Sequence, residues 1–107
     1  MKGGIKMGFF DQIQGADHLI RAIVDIEDEA ECRAFLEDIC TIKELQDIAQ
    51  RLEVALMLDE GKNYQEISRE TGASTATISR VKKCLVYGSG GYRAAINRAK
   101  NKGDTTC

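Results

Sequence analysis

A chain of 107 residues has room for one domain and buries only a limited share of its apolar surface alone, so assembly with a second subunit is an expected source of stability. With 43% apolar and 30% charged residues, the composition fits a folded protein and excludes disordered and collagen-like classes; no apolar run approaches the roughly 18 residues of a membrane span. The formal net charge of −2 conceals a division: residues 1–60 carry 6 Lys and Arg against 14 Asp and Glu (net −8), whereas residues 61–107 carry 9 against 3 (net +6), which joins an acidic half suited to assembly to a half suited to a polyanion.

Proline is absent and apolar residues recur at helical spacing, so an all-α fold is expected. Residues 1–10 open as MKGGIKMG and read as a mobile arm; one helical domain follows over 11–100, and 101–107 read as a disordered tail. The first helix is expected from about Asp11 to Asp25, with Ala16, Leu19, Ile20, Ile23 and Val24 on one face and Gly15 blurring its start. Asp28 followed by Glu31 resembles a capping box and opens a second helix striped by Cys32, Phe35, Leu36, Ile39 and Cys40. Thr41 with Glu44 repeats that signature and begins a long third helix, which should stop at Gly61. Its main stripe is Ile42, Leu45, Ile48, Ala49, Leu52, Ala55 and Leu56. Because Val54, Met57 and Leu58 lie off that stripe, its second half is apolar around most of its circumference and predicts a homodimer.

From Asn63 to about residue 86 the sequence is that of a helix-turn-helix. Asn63 caps the first helix, Ile67 faces inward, Ser68 is small enough for close packing, and Gly72 supplies the sharp turn. Ser74 caps the second helix, which runs to about Leu85. At about 100° per residue, Ile78, Val81 and Leu85 fall on one side of it, and Thr75, Ala76, Ser79, Arg80 and Lys83 on the other. Small and hydroxyl side chains let a helix enter the major groove, while Arg80, Lys82, Lys83, Lys62 and Arg69 can meet flanking phosphates. The expected DNA-binding set is therefore Lys62, Arg69, Ser74, Thr75, Ala76, Thr77, Ser79, Arg80, Lys82 and Lys83. Arg80 is the one long side chain suited to paired bonds with a base, so water bridges and DNA deformability should share in sequence choice.

The stretches CTIKELQDIAQRLEVALML (residues 40–58), TGASTATISRV (71–81) and YGSGGY (87–92) resemble the YerC/YecD branch of the tryptophan-repressor superfamily, over roughly residues 17–100. That resemblance implies six helices, an intertwined homodimer and two DNA-reading heads; a sixth helix from about Gly91 to Lys100 fits. Tryptophan repressors hold their co-repressor with two arginines and a threonine, and Arg51, Arg80 and Thr41 match those places. Val81 and Cys84 stand where the repressor has a glycine and a serine, which predicts a protein that does not use tryptophan as its co-repressor and whose effector, if one exists, is unknown.

The four cysteines, Cys32, Cys40, Cys84 and Cys107, form no C-x-x-C pair, and His18 is the single histidine, so neither a metal nor another cofactor is expected. Cys32 and Cys40 stand about 12 Å apart on one helix, too far for a disulfide, and reduced structural thiols are expected. The opening residues lack a signal-peptide pattern, which suits a cytoplasmic protein. No nucleophile with a base and no paired carboxylates suggest an enzyme. Tyr87 and Tyr92 are expected to wall the glycine-rich turn. The expected function is a sequence-specific double-stranded DNA-binding transcriptional regulator, expected to repress and to act as a homodimer; the alternative is a helical protein-interaction or effector-sensing module without direct operator binding.

Overall fold

The structure, a computed structural model, describes residues 8–106 of the chain, with side chains over 9–102. It is all-helical. A 3-10 helix (Gly8–Gln12) precedes α1 (Ala16–Val24), α2 (Glu29–Ile39), α3 (Ile42–Asp59), α4 (Tyr64–Thr71), α5 (Thr75–Tyr87) and α6 (Gly91–Thr106). Of the expected mobile arm, residues 1–7 lie outside the described part, and Gly8–Gln12 is the 3-10 helix. Of the expected tail, residue 107 lies outside it, and α6 runs through Thr106, beyond the end expected at Lys100. The chain divides at Ile42 into two compact units.

In the first unit α1 begins later than expected. Gly15 takes a left-handed φ of 84° as its N-cap, a conformation that interrupts an approach to the helix from Asp11. Asp28 caps α2, its carboxylate accepting from the Glu31 N–H at 2.8 Å. The reciprocal bond is displaced by one residue: Glu31 accepts from the Glu27 N–H at 3.1 Å rather than from Asp28. Both satisfy donors that the first helical turn leaves without partners.

The second unit is built on α3, which ends as expected before Gly61. Gly61 has φ 87°; its N–H donates to the Leu58 carbonyl at 3.0 Å, and the Lys62 N–H donates to the Met57 carbonyl at 3.1 Å. This pair of bonds is a Schellman motif, which closes the helix and turns the chain into α4. The core consists of Val54, Ala55, Ile67, Ala73, Ile78, Val81 and Ile96, with Leu56, Met57, Leu58, Tyr64, Leu85 and Tyr92 packed against it. Val54, off the main stripe of α3, is fully buried, whereas Ile42, Ile48 and Leu52 of that stripe are exposed. Ala55, on that stripe, is buried too and Leu56 packs against the core, so α3 is divided along its length and the core of this unit sits at its C-terminal end.

Candidate nucleic-acid interface

Each end of α4 and the start of α5 are fixed by local bonds. Asn63 accepts from the Glu66 N–H at 2.9 Å and Glu66 accepts from the Asn63 N–H at 3.1 Å, a complete capping box. Ile67 anchors α4 in the core. At its end, the Thr71 hydroxyl donates to the Ile67 carbonyl at 2.7 Å and accepts from the Ala73 N–H at 3.1 Å, while Gly72 holds φ 78°. Gln50 of α3 donates to the Thr71 carbonyl at 3.0 Å. Gln50, Thr71 and Ala73 were not among the expected residues. The Thr71 bonds span at most four positions and were accessible to sequence reading, but Gln50 lies 21 residues away and leaves no local signal.

Ser74 accepts from the Thr77 N–H at 3.1 Å, and its hydroxyl donates to the Thr77 hydroxyl at 3.1 Å. Thr77 is half-buried and takes part in the cap, whereas the other expected members of the α5 set, Thr75, Ala76, Ser79, Arg80, Lys82 and Lys83, are exposed. Ile78 and Val81 on the opposite side are buried, and Leu85 is half-buried. No acidic side chain occupies the first turn of α5, so the positive end of its dipole is left open to a phosphate or a base edge.

The basic residues differ in their surroundings. Lys82 places its ammonium 6.0 Å from the centre of the Tyr64 ring, an exposed cation–π contact that ties α5 to α4. Lys62 lies 3.5 Å from Glu70 and 3.9 Å from Glu60, so its charge is partly balanced within the protein. Arg69 is exposed.

Arg51 and Arg80, expected at an effector pocket, are exposed in the second unit, while Thr41 falls in the first. An open groove in the second unit is lined by Lys43, Gln46, Asp47, Gln50, Glu53 and Glu70 among others, with neither Arg51 nor Arg80 in its lining. Tyr92 of α6 lies within electrostatic reach of both arginines and of Cys84. Its partial burial pushes the phenol above its usual range; Cys84 adds to that shift, and Arg51 and Arg80 oppose it. Tyr92 packs against the core of this unit, whereas Tyr87, expected at a wall of the glycine-rich turn, is 82% exposed. The turn between them depends on Gly88, where an added Cβ would collide with the Cys84 carbonyl oxygen. Among the described residues Cys32, Cys40 and Cys84 are free thiols, His18 is exposed, no group of three His, Cys, Asp or Glu could hold a metal ion, and no helix is long and apolar enough to cross a membrane.

Three comparisons bear on this arrangement. Residues 14–100 match the family model described as Trp repressor protein. The chain is 53% identical over 92 residues to the uncharacterized protein YerC of Bacillus subtilis (strain 168), a match covering 84% of this chain and 88% of that protein. Among solved structures it is similar to a candidate Trp repressor from Staphylococcus aureus (42% identity, TM-score 0.80, 89% of this chain and 96% of that one). It is also similar to a TrpR-like protein from Eubacterium eligens ATCC 27750 (45% identity, TM-score 0.78, 83% and 92%).

Proposed function

The chain belongs to the Trp repressor protein family, one of DNA-binding regulators rather than enzymes, and from that premise we propose that it acts as a homodimeric transcriptional regulator that reads double-stranded DNA with α5. The observation that carries this is the division of α5: Ile78 and Val81 are buried while Thr75, Ala76, Ser79, Arg80 and Lys83 stand exposed together, behind a capped and acid-free first turn. A helix so anchored can enter a major groove without exposing its core. The unit from Lys43 supplies the reading head. Dimerisation falls to apolar residues left exposed in each unit, Leu19, Ile20, Ile23 and Val24 of α1 with Ile42 in one and Ile48 and Leu52 of α3 in the other. In this reading its site of action is the cytoplasm.

Titration of labelled duplexes at several salt concentrations tests this reading. A steep fall in affinity with rising salt, and preference for some sequences over others, is the expected result. Weak binding that ignores salt would instead favour a protein-interaction module.

Free tryptophan is not the co-repressor in this reading. Val81 is 1% exposed and fills space in the core beside the recognition helix, and Tyr92 lies close to the same two arginines that would flank a ligand. Cys84 is also a weaker hydrogen-bond partner for an amino group than a serine hydroxyl. Calorimetry should detect no low-micromolar binding of tryptophan, and DNA affinity should be the same with and without it; a several-fold gain in affinity would overturn this.

A further inference from the structure

Asp59 is the last residue of α3, and its side chain is only 11% exposed. Two cations of α6 converge on it. Arg93 Nη1 donates to Oδ1 at 2.7 Å, and Lys100 Nζ lies 2.8 Å from Oδ2. The two are seven residues apart, two turns on one face of α6, and Ile96 between them is fully buried in the core with Ile78 and Val81 of α5. Exposed pairs such as Arg33 with Glu29 or Lys43 with Asp47 join neighbours on one helix. The Arg93–Asp59 bond instead spans 34 positions, and the loop it closes contains the whole of α4, the Gly72 turn and α5. Lys100 and Arg93 hold the Asp59 carboxyl below its ordinary value, so it is ionised wherever DNA binding would be measured.

We propose that Asp59 is a positioning residue for DNA binding: by holding Arg93 and Lys100 it fastens α6 to the end of α3 and so sets the angle at which α5 is presented. The proposal rests on the DNA-reading role assigned to α5. Only Gly88, Ser89 and Gly90 separate α5 from α6, so a shift of α6 is passed to the recognition helix over a short connection. Asp59 itself, an anion at the far end of α3, has no expected contact with a phosphate.

The sign of one substitution separates this role from a simple field effect. Asp59→Asn removes a negative charge and releases two cations, so electrostatics alone predicts tighter binding to every duplex. Loss of the fastening predicts weaker binding to a duplex selected from a randomised pool by the parent protein, and no weakening on a scrambled duplex. The expected loss on the selected duplex is about tenfold, the size of one lost base contact. Asp59→Glu, which keeps the carboxylate, should recover most of that loss, and hydrogen exchange of the α6 amides should quicken in Asp59→Asn but not in Asp59→Glu. If Asp59→Asn fails to fold, Lys100→Gln against Arg98→Gln makes the comparison, since each removes one positive charge from α6 and Arg98 is exposed; the fastening predicts the larger loss for Lys100→Gln. Equal losses there, or unchanged or tighter binding of Asp59→Asn to the selected duplex, would overturn the proposal. A parent protein that binds no duplex would overturn the DNA-reading role first, a result distinct from either.

Discussion

Lys82 and Lys83 are neighbours on α5, yet only Lys82 rests on an aromatic ring, and that contact holds its stem in place without neutralising it. Both are assigned to phosphates. Replacing both by alanine should therefore weaken binding to all duplexes by similar factors and lower the salt slope by roughly two. Thr75 and Ser79 lie on the exposed side near the start of the helix, so replacing either should change preference between sequences and leave the salt slope alone. Titrations of parent and variants at matched salt check both assignments; a lysine variant with the parent's slope would remove those residues from the phosphate set. Two expected members fit the set less simply. The Thr77 hydroxyl is engaged by Ser74, and Lys62 faces Glu70 and Glu60, facts that residue type alone does not carry.

Between α4 and α5 the turn depends on backbone conformation more than on space. An added Cβ at Gly72 would have Gln50 Nε2 as its nearest neighbour at 3.8 Å, an ordinary contact, so the obstacle to a side chain is φ of 78°. Left-handed backbone costs roughly 1–2 kcal/mol for a residue with a Cβ, and a branched one suffers most. Gly72→Val should accordingly lower the melting temperature and weaken DNA binding, because Ala73 and Ser74, which follow at once, are the core residue and the cap of α5. Thermal unfolding followed by circular dichroism, with a DNA titration alongside, measures both; parent-like values in the two assays would mean that the turn does not set the position of α5. At the same scale, the apolar stripe of α3 is divided by environment. Its C-terminal part enters the core of its own unit, while Ile42 is 76% exposed and Ile48 51%.

For the whole molecule, that division is the reason to expect two chains in solution. Large apolar side chains left exposed on α1 and on α3 lose contact with water only if another surface covers them. Sedimentation at micromolar concentration should show a species of two chains, and a stable folded monomer there would exclude this assembly. In a two-fold dimer the two α5 helices should stand about 34 Å apart, one turn of DNA, which small-angle scattering and a structure of the complex can measure. Much of α4, the Gly72 turn and α5 was determined by sequence alone. The Asn63 and Ser74 caps, the left-handed Gly61 and Gly72, and the separation of Ile78 and Val81 from Thr75 and Ser79 all follow from interactions within a few residues, which local chemistry dictates. Gly15 is the local feature that marked the boundary of α1, and the break it causes there shortens the helix that periodicity extended. What tertiary structure alone decided is which part of α3 is buried, that Gln50 holds the end of α4, that Tyr92 comes near Arg51 and Arg80, and that Asp59 holds Arg93 and Lys100. These depend on residues 12 to 41 positions apart, and no periodicity or motif specifies such pairs, because they are set by how the helices pack around Ile67, Ile78 and Ile96.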